Sequence, residues 1–361
     1  MGLFQKIIDL VKEELLDEPK KPAKKSGSQK ASTSKPKGDS FEQLCAKAKA
    51  GDLAAQFNLY DQYADKADKR EALEALFTEM MNKGDVEGKG MLACLIVQNA
   101  SNYSNEKVAQ ANKWADEAFA ACSLIVTVMN GFYFACPYGL RRDWDPGTIG
   151  ISIPHPTMMP EGVIVKLPVN PQQAIVLLEG AANKLKTCSS ETKAAYHLVY
   201  GYLAYNYWCI TKANDKIIAH ANQGAELEDP LSLFVLGMMC WSGHGGYEKN
   251  TDYALQYFQK AEKFMDKLGE EGPLHDTFVP WIYCMIGAAF DKQKNDNSSK
   301  KAASYFEKAA KKGSLYAMFA LSRYHELGIL PKDPEKILAW KTKALAGGFD
   351  MNRFNPPAYS I

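Results

Sequence analysis

From Phe41 onward apolar and polar residues alternate with a helical period, and the apolar positions sort into two recurring kinds of segment. One kind carries a small or apolar residue, an apolar one four later and a third four after that: Ala55-Leu59-Tyr63, Ala194-Leu198-Tyr202, Ser232-Leu236-Cys240, Ile282-Ile286-Phe290 and Ala317-Leu321-His325. The other kind runs aromatic, polar, small, and ends on glycine, as in "YFEKAAKKG" from Tyr305 and "WKTKALAGG" from Trp340. Its small slots fall at Met80, Ala118, Ala181, Ala225, Ala261, Ala309 and Ala344, spaced 38, 63, 44, 36, 48 and 35 residues apart, a basic period of about 36. Each unit is therefore read as two antiparallel helices that hide their apolar seam only by stacking on neighbours. The expected fold is all-α: an α-solenoid of about seven helix pairs over residues 41–349, with first helices lining the inner surface and second helices outside.

Three stretches break the pattern. Leu3, Phe4, Ile7, Ile8, Val11, Leu15 and Leu16 predict a short amphipathic helix over 1–18. Residues 19–40, rich in Lys, Ser and Pro, read as a disordered linker. Between Ala118 and Ala181 the excess over the period falls at about 136–171, where prolines and glycines forbid a helix and "GTIGISI" and "GVIVKL" suggest short strands. An irregular insertion in the third unit is expected there, and a loose tail over 350–361.

Composition narrows the function. With 361 residues, a net charge of +1 and 46% hydrophobic residues, the chain lacks the field that would attract nucleic acid. No apolar run reaches the roughly 20 residues of a membrane span, and the charges within residues 3–16 spoil a secretory signal, so the reading is cytoplasmic. The eight cysteines form no CxxC pair and are expected to be mostly buried. His155, His197, His220, His275 and His325 form no HExxH motif or close cluster and read as surface or seam histidines. No metal and no cofactor is implied. In "WSGHGGY" a nucleophile turn needs glycine two residues before Ser242, where Cys240 stands, so His244 and its glycines read as a bend between paired helices. "GDVEGKG" (84–90) has the wrong spacing for a phosphate loop.

"AQFNLYDQY" (55–63), "SLFVLGMMCWSGHGGYEKNTDYALQYFQKA" (232–261) and "AMFALSRYHELGILPKDPEKILAWKTKA" (317–344) resemble Sel1-like repeats, which are tetratricopeptide-type helix pairs. The resemblance implies a non-catalytic adaptor or scaffold that holds a protein or peptide segment in the concave groove. It also implies a register of ligand-facing slots on the first helices. Carried over, that register gives Tyr196 and Tyr200 in the fourth unit, Met238 and Trp241 in the fifth, Trp281 in the sixth, and Tyr316 and Arg323 in the seventh. Such aromatic and arginine side chains dominate binding hot spots. The insertion adds Tyr138, Arg141, Arg142 and Trp144. Two alternatives stay open: an enzyme or small-ligand-binding protein using Arg141, Arg142, Asp143 and His155 in the insertion, and a membrane-associated adaptor docking through residues 3–16. The second is not favoured, because Leu3 to Glu18 carries net −3.

Overall fold

The computed structural model describes residues 39–135, 171–210, 213–268 and 273–347. The predicted N-terminal helix, most of the 136–171 insertion with its expected strands, and the 350–361 tail lie outside them. Every regular element among the described residues is helical. In chain order they are α1 (Phe41–Lys49), α2 (Leu53–Tyr63), α3 (Arg70–Asn82), α4 (Val86–Gln98), a single 3-10 turn (Ala100–Asn102), α5 (Asn105–Ala120), α6 (Leu124–Phe134), α7 (Pro171–Leu185) and α8 (Ser190–Ala195). Then come α9 (Leu198–Ile210), α10 (Asn214–Glu226), α11 (Pro230–Ser242), α12 (Thr251–Leu268), α13 (Pro273–Lys292), α14 (Asp296–Lys311), α15 (Leu315–Glu326) and α16 (Pro334–Ala346). Among the described residues first and second helices alternate from α2 to α16, with α8 and α9 together taking one first-helix place, the arrangement of an α-solenoid.

The helices begin where the sequence supplies a cap. Ser40 and Gln43 form a reciprocal box at α1, Asp52 accepts from Ala55 N at 3.1 Å at α2, and Ser104 caps α5. At α11, Asp229 is followed by Pro230, whose missing N–H costs nothing in the first turn.

The chain falls into two packed units, residues 1–133 with 180–196, and 134–179 with 197–361. In the first, α3 packs on α4 and α4 on α5 around fully buried Leu59, Leu73, Phe77, Met91, Leu92 and Leu95. Gly88 lets α4 close on α3, since a Cβ there would lie 2.4 Å from Met80 Cβ. Glu87 joins the next element: its carboxylate accepts from Ser123 Oγ at 2.7 Å and from the Leu124 and Ile125 amides, giving α6 an anionic N-terminus. A contact far apart in sequence closes this unit. α8 packs on α2, with the Tyr196 and Phe57 rings 4.2 Å apart.

In the second unit α9 to α16 pack in sequence, each second helix on its own first helix and on the next. The glycine of the first helix has a steric purpose. A Cβ on Gly237 would meet the Phe258 ring at 2.4 Å, and one on Gly287 the Phe306 ring at 2.8 Å. Two features depart from the sequence reading. Ala194, Leu198 and Tyr202 were expected on one helix, but the helix breaks between Ala195 and Leu198, where His197 Nδ1 pairs with the buried Asp229 carboxylate at 3.0 Å. The small slot of the fourth unit is Gly224 rather than Ala225. Gly224 is buried against Ser232, whose Oγ would lie 1.9 Å from an added Cβ, while Ala225 is only partly covered.

Candidate interaction surface

The first helices of the fourth, fifth and sixth pairs pool their aromatic side chains. Tyr205 of α9 meets Phe278 of α13 edge-on at 5.2 Å and Trp281 at 6.3 Å; Phe234 of α11 lies 6.4 Å from Phe278 and 6.2 Å from Trp281. These are the offset and edge-to-face geometries aromatic rings prefer.

Of the expected contact residues that are described, all but Arg323 are buried in the packing between helices rather than displayed to a ligand. Met238, Trp241 and Trp281 belong to the buried layer, Trp281 retaining 8% of its exposure, and Lys292 Nζ sits 6.0 Å above the Trp241 ring. Tyr200 is buried at the start of α9, beside Gly224. Tyr316 is buried with its ring 5.9 Å from Phe306, on the side facing α14. Tyr196 is in the first unit, 1% exposed, with its hydroxyl buried and without a hydrogen-bond partner among the described residues. Burial holds that phenol well above its ordinary pKa, the Glu87 charge adding to the effect. Arg323 is the exposed member, its side chain 45% accessible and paired with Glu326 at 2.5 Å. Tyr138, Arg141, Arg142 and Trp144 lie outside the described residues, as do Asp143 and His155.

Elsewhere the polar side chains are engaged in holding helices together. Ser242 Oγ donates to Met238 O at 2.8 Å, and Gly243, with φ 73°, ends α11 as a left-handed cap. His244 is exposed on that bend. His325 Nδ1 lies 2.8 Å from Pro331 O, and His220 stacks on Tyr207 with ring centroids 5.8 Å apart. Cys94, Cys240 and Cys284 are buried, whereas Cys122 is exposed and Cys45 and Cys188 are partly covered, so burial of the thiols is less general than expected. Burial pushes the Cys94 and Cys284 thiols up to about 12, which keeps them protonated and inert. Among the described residues no group of three His, Cys, Asp or Glu side chains could hold a metal ion, and no helix is long and apolar enough to cross a membrane.

One recurring arrangement escaped the sequence reading. Glu74 accepts from Tyr103 Oη at 2.9 Å and from Lys107; Glu262 accepts from Tyr305 Oη at 2.9 Å and Lys308 Nζ at 3.3 Å. Glu179 accepts from Tyr207 Oη at 2.8 Å, Lys216 Nζ at 3.0 Å and His220 Nε2 at 3.1 Å. In each case a second-helix glutamate clamps a tyrosine and a lysine of the following pair. The partners lie 28 to 46 residues away, a separation at which a single sequence gives no pairing signal.

Comparison with known families agrees with this geometry where the repeats are most regular. The Sel1 repeat model matches residues 230–263, 293–314 and 315–348. Over these residues the chain is similar to Sel1 repeats. A Sel1 repeat protein from Oxalobacter formigenes is similar in structure, at 19% identity over 95% of this chain and 97% of that one, with a TM-score of 0.40. A protective antigen of uropathogenic Escherichia coli, described as displaying an SLR fold, matches at 18% identity over 85% of this chain and 79% of that one, with a TM-score of 0.25. No curated protein sequence matches. The matched repeats take in α11, most of α12, the whole of α14, and α15 with α16, and so contain Met238, Trp241, Tyr316 and Arg323.

Proposed function

We propose that this Sel1-repeat chain is a non-catalytic protein-interaction scaffold that holds a partner segment along the first helices of its second unit. What supports the reading is the tandem stacking of helix pairs whose first helices share one aromatic layer, built from Tyr205, Phe234, Phe278 and Trp281, together with the exposed Arg323 of the seventh pair. A stacked array of this kind offers repeated, rigid attachment points at low entropic cost. In this reading Met238, Trp241, Trp281 and Tyr316 form a firm apolar floor, Tyr200 extends it toward the fourth pair, and Arg323 makes the charged contact; Tyr196 is a separate expected contact on the first unit. Tyr138, Arg141, Arg142 and Trp144 of the insertion would supply a second contact set. The partner is a protein or peptide, no cofactor takes part, and the scaffold works in the cytoplasm.

The experiment is affinity capture with the full chain, comparing the parent with Trp241→Ala, Arg323→Glu and an insertion variant carrying Tyr138→Ala and Trp144→Ala. Loss of one specific partner at least tenfold in the first two, with helical content retained and no hydrolase or transferase turnover in any of them, is the expected result. A partner retained equally by all the variants, or turnover abolished by the insertion variant, would overturn the reading.

A further inference from the structure

Three neighbouring helices converge on a single ammonium group. Lys308 Nζ of α14 lies 4.5 Å from the centroid of the Tyr305 ring and 5.1 Å from that of Tyr283 on α13, with Glu262 Oε1 of α12 at 3.3 Å. The two rings stand 6.1 Å apart at 55°, so they form two walls of one corner around the charge. The other glutamate clamps are built otherwise. At Glu74 the lysine, Lys107, lies over the Tyr103 ring at 4.7 Å, and at Glu179 the face of Tyr207 is stacked on the His220 ring.

The walls of the corner are firm. The Tyr305 hydroxyl donates to Glu262 Oε2 at 2.9 Å, and its ring stacks on the buried Phe290 at 5.9 Å. Tyr283 and Tyr305 both pack against the core of the unit while keeping part of their surface open to water. The occupant is held loosely. The Lys308 side chain is 46% accessible, and an exposed ion pair or an exposed lysine over a ring contributes little. A primary ammonium is also strongly hydrated and gives up water to enter such a corner.

Two aromatic faces and a carboxylate select a cation, and they favour one whose charge is spread over methyl groups, which holds water less tightly and packs against the rings. Asp266, one turn beyond Glu262 on α12, adds a second negative charge acting on Tyr305, which disfavours any ammonium that carries a phosphate beside it. A lysine side chain brings only a neutral backbone. We propose that Tyr283, Tyr305 and Glu262 form a binding site for a methylated lysine side chain of a partner protein, which Lys308 occupies until that side chain displaces it. The site is separate from the aromatic layer of the first helices. Tyr283 and Trp281 are two residues apart, so their rings leave α13 on nearly opposite sides.

The test titrates the full chain by isothermal calorimetry, at fixed ionic strength, with the N-acetyl amide of trimethyl-lysine, its unmethylated counterpart, and phosphocholine. The trimethylated compound should bind at least tenfold more tightly than either of the others. Lys308→Ala, an exposed substitution that vacates the corner, should tighten that binding at least threefold, a gain that misfolding cannot produce. Tyr283→Leu should weaken it at least tenfold with helical content retained. No binding in either the parent or Lys308→Ala, an affinity unchanged or lowered by Lys308→Ala, or indifference to Tyr283→Leu would overturn the proposal. Equal binding of the unmethylated lysine, or of phosphocholine, would overturn it as well.

Discussion

At the scale of single residues, the contrast between glycines is the sharpest consequence of the packing. Gly237 gives up its Cβ to a phenylalanine ring that is fully buried and has nowhere to move, so Gly237→Ala should cost about 1–3 kcal/mol despite the better helix propensity of alanine. Gly180, inside α7 with nothing within 4 Å of an added Cβ, should gain about 0.5–1 kcal/mol on the same substitution. Thermal or urea unfolding of the two variants reads the difference directly. Tyr196 offers a second case. Its buried hydroxyl has no hydrogen-bond partner among the described residues, so Tyr196→Phe should leave stability unchanged or raise it by about 1 kcal/mol, and a clear loss would mean that the hydroxyl is satisfied. The glycine of the repeat was legible in the sequence as a position in a pattern. Its reason, a ring arriving from the following helix, was not, because propensity says nothing about what a helix packs against.

At the scale of elements, the glutamate clamps tie each second helix to the pair that follows. Neighbouring exposed ion pairs contribute little, but here each carboxylate also accepts a phenol, and the Glu262 side chain is only 16% accessible. A double-mutant cycle of Glu262→Ala with Tyr305→Phe should give a coupling of about 0.5–1.5 kcal/mol, measured by urea denaturation; additive effects would mean that the bond is not made in solution. Glu179 adds a pH signature. Burial pulls its pKa upward, but hydrogen bonds from Tyr207, Lys216 and His220 outweigh that and leave it below its ordinary 4.5. Burial and the same bond push the Tyr207 phenol up to about 12. A carboxyl whose folded pKa is depressed stabilises the fold above its unfolded pKa and loses that contribution as pH falls through the folded value. Glu179→Gln should therefore destabilise at pH 7 and converge with the parent below the folded pKa, in acid. A deficit that persists unchanged to the lowest pH at which the chain stays folded would refute this. The helices themselves were readable from apolar spacing and capping residues. The break between α8 and α9 was not, because it is imposed by the bond from His197 to Asp229, thirty-two residues away.

At the scale of the whole molecule, a linear stack of pairs would leave each unit touching only its neighbours. The Tyr196–Phe57 contact departs from that rule within the first unit. Phe57→Ala should thus speed hydrogen exchange of the α8 amides at least tenfold, although they are more than 130 residues away in sequence, while α12 to α16 keep their protection. Unchanged exchange in α8 would show that the contact carries no stability. By itself the sequence determined the helical class, the alternation of first and second helices and the turn at Gly243, because period, caps and left-handed glycines act within a few residues of one another. Which aromatic side chains sink into a shared layer, which glutamates clamp the next pair, and which lysine lies over two tyrosine rings were decided only by tertiary packing. Those outcomes depend on the neighbour each helix face meets, and spacing along one chain does not specify that neighbour.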